Sequence, residues 1–143
     1  MNRLTGVRLL AVVMALLLGG FGCSSASGDS TSDAPPANGA TLEPAEFEAA
    51  MQRAGTVIVD VRTPEEFAGG HIAGAVNIDV SASDFSAKIA DLAKDVPYAV
   101  YCRSGNRSAA ALAQMESAGF TNAYHLGGGV GAWTSSGRAL VTA

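Results

Sequence analysis

"YAVYCRSGNRSAAALAQMESAG", residues Tyr98–Gly119, joins three patterns in one run. Tyr98 to Cys102 is short and apolar, as a strand covered on both faces is. Ala109 to Ala118 is alanine-rich, carries Leu112 and Met115 at helical spacing, and meets a stop at Gly119. Between them lies a small polar loop with two arginines, Arg103 and Arg107. A strand that runs through such a loop into a helix is the repeating piece of a parallel sheet, and it puts Cys102 at the carboxyl end of its strand. Ligands of these sheets bind there.

The flanking segments repeat the alternation. Upstream, EPAEFEAAMQRAG (43–55) predicts a helix with Pro44 in its first turn, Phe47, Ala50 and Met51 on one face, and Gly55 as its stop. Thr56 to Val61 is β-branched and nearly all apolar, a second buried strand. Thr63-Pro64-Glu65-Glu66 fits a capping box that starts a short helix ending at Gly69-Gly70. His71 to Ala75 reads as a turn into a brief strand, Val76 to Ile78. Phe85, Ile89, Leu92 and Val96 recur at helical spacing and predict a second substantial helix. Downstream, Ala123 to Leu126 is a further strand, Gly127 to Gly129 a break, and a last short helix carries Trp133. The expected fold class is α/β, a small parallel sheet flanked by helices on both faces with right-handed crossovers.

The loop after Cys102 has the chemistry of an anion site. The unpaired amides of a helix start, its dipole and Arg107 all favour negative charge. Gly105 can take backbone angles that let successive N–H groups turn inward as a nest. That field lowers a thiol from about 8.5 toward the roughly 3.5–7.5 range of activated cysteines, making Cys102 a nucleophile. Were Cys102 only a small core hydrophobe, the arginines and the glycine beside it would have no purpose.

Composition limits the partners. The 143 residues hold nine basic and thirteen acidic side chains for a net charge of −4, which gives nucleic acid no general basic surface. Arg3 and Arg8 frame the start of the apolar run Leu9–Leu18, and Gly19, Gly20 and Gly22 lead to Cys23, the order of a secretory signal. The run is about half the roughly 20 residues of a membrane-spanning helix. Residues 1–22 are therefore expected to be a signal peptide. Cleavage before Cys23 resembles bacterial lipoprotein processing, with Cys23 lipidated, although Gly20 and Phe21 depart from the usual leucine and small residue before the cysteine. Residues 23–40, rich in Ser, Gly, Pro and Asp, are expected to be a flexible tether, and 41–143 the folded domain. The expected address is extracytoplasmic, anchored to the cell membrane by lipid. With only two cysteines and Cys23 so used, Cys102 has no disulfide partner in its own chain.

Asp60-Val61-Arg62, Glu66-Phe67, Gly70-His71-Ile72-Ala73-Gly74-Ala75, Cys102-Arg103-Ser104-Gly105-Asn106-Arg107-Ser108 and Leu126-Gly127-Gly128 through Trp133 together resemble a single-domain rhodanese. The resemblance implies sulfur transfer from thiosulfate or a persulfide donor to cyanide or another thiophilic acceptor, with Cys102 as nucleophile and persulfide carrier. It implies that backbone amides from Arg103 to Arg107, Ser104, Gly105 and Asn106 included, hold the sulfur, and that Arg103 and Arg107 meet the anionic donor. It calls for no metal and no organic cofactor. Phosphatases and arsenate reductases sharing the fold look like Cys-x5-Arg, whereas Cys102 and Arg107 enclose four residues, a loop sized for one sulfur atom. A persulfide carrier or docking module at the envelope is the other alternative.

The remaining family positions divide between structure and site. Asp60 either faces the site from the neighbouring strand end or caps a turn. Arg62 and Glu66 are expected to pair, His71 to be a hydrogen-bonded turn residue, and His125 to be a strand residue reaching solvent. Gly127 to Gly131 are expected to permit close backbone approach near the loop, and Trp133 to anchor the core.

Overall fold

A computed structural model describes residues 34–142. The signal expected for residues 1–22, Cys23 and the tether as far as Asp33 lie outside the described residues. The elements are β1 (Thr41–Leu42), α1 (Pro44–Met51), β2 (Val57–Asp60), α2 (Pro64–Ala68), β3 (Val76–Asn77), α3 (Phe85–Ala90), β4 (Tyr98–Tyr101), α4 (Asn106–Ser117), β5 (Ala123–Leu126) and α5 (Gly129–Ser135). The sheet order is β1-β5-β4-β2-β3, and every pairing is parallel. This is the α/β fold with a small parallel sheet that the alternation predicts.

The sheet separates two apolar clusters. Alternate residues of β4 point to opposite faces: Tyr98, Val100 and the following Cys102 join Val59, Val61, Leu112 and Met115. Ala99 and Tyr101 join Phe47, Tyr124 and Trp133 on the other side. Thus α4 covers the cysteine face and α1 the opposite one. Phe47 is fully buried, and its ring meets Tyr101, Tyr124 and Trp133 edge-on at 6.5, 6.4 and 6.3 Å. The Trp133 indole also donates to Ala139 O at 3.0 Å, which confirms it as a core anchor.

Capping chemistry sets several boundaries. In α2, Glu66 N donates to Thr63 Oγ1 at 3.3 Å and Thr63 N to Glu66 Oε2 at 3.2 Å, the expected box. A similar box, Glu43 with Glu46, opens α1. Two expectations need correction. The helix from Phe85 stops at Ala90, because Lys94 Nζ takes the carbonyls of Ile89 at 2.7 Å and Ala90 at 3.3 Å. Leu92 and Val96 pack on the core from the connection that follows. Helix α4 begins at Asn106 instead of Ala109, since Gly105 at φ 100° serves as its N-cap and accepts from Ala109 N at 3.0 Å. Arg107 and Ser108 are therefore in the first helical turn. The two-residue strand β1 is too short to show a period in sequence; it is defined by pairing Thr41 with His125.

Candidate active site

Cys102 follows the last residue of the fully buried strand β4 and has no exposed surface. Its Sγ accepts from Gly105 N at 3.0 Å and lies 3.5 Å from Ser108 Oγ. Burial pushes the thiol up, but the Ser108 hydroxyl and the amides of Ser108, Ser104 and Gly105 outweigh it and leave the group below its ordinary value. Hydrogen bonds to an ionised group contribute about 1.5–3 kcal/mol each, against about 0–1 kcal/mol for an exposed ion pair. The hydrogen bonds of the nest, more than the arginines, lower the thiol.

Helix α5 holds the nest open. Val130 N donates to Cys102 O at 2.9 Å and Gly131 N to Arg103 O at 3.2 Å. Drawing those two carbonyls toward α5 turns the amides on the far ends of the same trans peptides, Arg103 and Ser104, the other way. The approach is so close that a Cβ on Gly129, at φ +56°, would stand 2.4 Å from Cys102 O and 2.6 Å from Arg103 C. The close approach expected of this glycine run is thus centred on Gly129.

The charged residues are distributed differently from expectation. Glu66 does not pair with Arg62. Its carboxylate takes the Arg107 fork, with Nη1 to Oε2 at 2.7 Å and Nη2 to Oε1 at 2.8 Å. The hydrogen-bonded Arg107 guanidinium, first among the causes, pushes Glu66 down to about 2 against the opposing effect of burial. Arg62 instead folds back over its turn onto Asp60, Nη2 to Oδ2 at 2.6 Å, and donates to Gly70 O at 2.7 Å. Asp60 also accepts from Arg62 N at 2.9 Å and is completely buried. It follows Val59, which lies on the cysteine face, and Arg62 sits over the Tyr101 ring of the other face. The Asp60 carboxylate thus caps the turn that Arg62 folds over. Arg103, Ser104 and Asn106 are exposed around the loop, and among the described residues the Arg103 guanidinium has no hydrogen-bond or ion-pair partner.

The two histidines part company. His71 is a turn residue as expected, with Nδ1 at 3.0 Å from Phe67 O and its ring stacked on Phe67 at 3.8 Å. His125 does not reach solvent: it is 7% exposed, and β5 turns it toward α4. Its Nδ1 is 2.9 Å from Ser108 Oγ and its Nε2 is 2.9 Å from Thr41 Oγ1. Burial holds its basicity below the ordinary histidine value. Ser108, His125 and Thr41 are the site residues that sequence reasoning missed. Only the position of Ser108, in the turn of helix closing the CRSGNRS run, carried a signal.

An α/β sheet whose strand-to-helix loop wraps one buried thiol in backbone amides defines a class of small cysteine-anion domains. The Rhodanese-like domain profile matches residues 43–136, more than half of the chain, and the chain belongs to that family. It is 42% identical over 88 residues to the thiosulfate sulfurtransferase GlpE of Pseudomonas entomophila (strain L48), covering 61% of this chain and 78% of that one. With the thiosulfate sulfurtransferase GlpE of Stutzerimonas stutzeri (strain A1501) the identity is 45% over 91 residues, 63% of this chain and 81% of that one. A crystal structure of a rhodanese-related protein from Thermoplasma volcanium superposes with a TM-score of 0.63 at 32% identity, covering 71% of this chain and 97% of that one.

Proposed function

We propose that the protein is a sulfurtransferase that carries a sulfane sulfur as a persulfide on Cys102. The observation that supports this most directly is the 3.0 Å bond from Gly105 N to Sγ at the floor of the amide nest. The Cys102 thiolate attacks the outer sulfur of thiosulfate; the bond between the two thiosulfate sulfurs breaks, and sulfite leaves with its electron pair. Cyanide or a thiolate then attacks the outer sulfur of the persulfide, and the Cys102 thiolate departs as leaving group. Each transfer exchanges one sulfur bond for another, so covalent catalysis splits one displacement into two. The names of the GlpE relatives agree with this donor.

The arginine geometry supports separate tasks. Arg107 is held by Glu66, so it orders the loop instead of gripping a donor, and a guanidinium so engaged is a poor cradle for phosphate oxygens. Arg103, exposed and unpaired among the described residues, is the cation that meets thiosulfate and departing sulfite. Because Cys102 has no exposed surface, donor access requires the exposed side of the loop to move. Treating the protein with thiosulfate and measuring intact mass is expected to add one sulfur to the wild type and none to Cys102→Ser, whose thiocyanate release from cyanide also falls to background. Unmodified wild-type mass with a free thiol overturns the proposal.

The same proposal extends to the address. The sequence of residues 1–23 supports export and lipid attachment at Cys23, which would place sulfur transfer on the extracytoplasmic side of a membrane. In cells of the source organism grown with labelled fatty acid, label is expected on the wild type and absent from Cys23→Ala. An unlabelled wild type rejects the anchor and leaves the chemistry untouched.

A further inference from the structure

Ser108 Oγ stands among more partners than one hydroxyl hydrogen can serve. Gly105 O is 3.0 Å away, His125 Nδ1 2.9 Å and Cys102 Sγ 3.5 Å. A hydroxyl has one hydrogen to give and two lone pairs to receive. While Cys102 is a thiol, S–H can donate to Oγ, and Oγ can donate to Gly105 O. Once the sulfur is an anion it can only accept. The Ser108 hydrogen must then turn from the carbonyl to the sulfur for Ser108 to stabilise it. That orientation leaves only lone pairs of Oγ facing His125, so Nδ1 must carry a hydrogen. In a neutral imidazole Nε2 is then a bare acceptor, and the hydroxyl of Thr41 is the group placed to donate to it.

We propose that His125 is a positioning residue of the sulfur chemistry: with its proton on Nδ1 and Thr41 donating to Nε2, it aims the Ser108 hydroxyl at the Cys102 sulfur whenever that sulfur is a thiolate or carries the outer sulfur of a persulfide. The donors then run in one direction, from Thr41 through His125 and Ser108 to the sulfur. If the histidine proton were on Nε2, the bare Nδ1 would claim the single Ser108 hydrogen, and the anion would lose the one side-chain donor it has among the described residues. The surroundings support a neutral ring. Ser108 from α4 and Thr41 from β1 are uncharged, Val100 pairs across β4, and burial is the cause that lowers the basicity of His125. The charges facing the sulfur end are Arg107 with its partner Glu66, and Asp79 beyond them.

The inference deepens the proposed function, because it rests on Cys102 as the reactive sulfur, but its test needs no turnover. Ring nitrogens of His125 are read by ¹⁵N resonance in wild-type protein above the alkylation midpoint of Cys102 and, separately, after persulfide loading. A protonated Nδ1 and bare Nε2 are expected; the opposite tautomer, or a doubly protonated ring, overturns the inference. Iodoacetamide rates against pH supply the second reading. His125→Phe is expected to raise the midpoint by about one unit, a tenfold loss of thiolate at any pH well below it. Thr41→Val, an exposed change that spares the core, raises it less. His125→Gln, which restores an N–H donor, recovers part of the loss. Midpoints unchanged in folded Thr41→Val and His125→Phe, or a wild-type ring with bare Nδ1, reject the chain of donors. Failure of thiosulfate to load sulfur sinks the enzyme reading without touching these readouts, and normal loading with the wrong tautomer sinks this inference alone.

Discussion

Glu66 performs two tasks with one carboxylate: it closes the cap of α2 through Thr63 N and holds both terminal nitrogens of Arg107 on α4. The side chain therefore ties the helix after β2 to the helix that carries the cysteine loop. Its folded pKa is depressed to about 2 from 4.5, so the stabilisation is full above pH 4.5 and is lost as pH falls through that window toward 2. Glu66→Gln is expected to unfold at lower denaturant than wild type at pH 7, with the difference shrinking as both are titrated from pH 4.5 toward 2. Urea midpoints across that range check it. A constant gap at every pH would show that the charge pair contributes nothing. The variant also leaves Arg107 free to swing, and looser loop order is expected to slow persulfide loading several-fold.

At the level of elements, the site is built by helix starts. Helix α4 supplies Gly105 N and Ser108, while the first turn of α5 takes the carbonyls of Cys102 and Arg103. Gly129 is where the two meet, and its φ of +56° already disfavours any side chain by about 1–2 kcal/mol. The clash is with backbone, which cannot move aside as a flexible side chain would. Gly129→Ala is therefore expected to push α5 off the loop, lower the melting temperature, and abolish sulfur loading while Cys102 remains present and countable as a free thiol. Retained loading at the wild-type rate would show that α5 does not hold the nest. These elements were legible in the chain to different degrees. The runs of β2, β4 and β5 and the Thr63 box announce themselves because the pattern and the cause are local. Helix α3 misled because Leu92 and Val96 keep helical spacing after Lys94 has already taken the helix's last carbonyls. His125 was misread because a histidine's place on a strand depends on what lies across the sheet, and its partners Thr41 and Ser108 are 84 and 17 residues away.

Across the whole molecule the parallel sheet divides the work between its faces. Cys102, Ser108 and His125 share the face under α4, whereas Phe47 and the rings around it fill the other. Asp60, one of whose two readings faced the site, and Arg62, expected to pair with Glu66, close a turn with each other. Their order in the sequence was visible, but the face each occupies follows from strand alternation and the pull of a nearby guanidinium, which no motif spacing reports. This division predicts that stability and thiol chemistry can be changed separately. Phe47→Ala removes a fully buried ring from the centre of the aromatic cluster and is expected to cost about 3–5 kcal/mol. At temperatures where the variant stays folded, the pH midpoint of Cys102 alkylation is expected to match wild type, since no atom of Phe47 belongs to the face that sets it. Urea unfolding and iodoacetamide rates measured on the same preparation decide the matter. A midpoint that moves with the lost stability would mean that the gap left by Phe47 reaches the nest through Trp133 and the α5 turn that braces it.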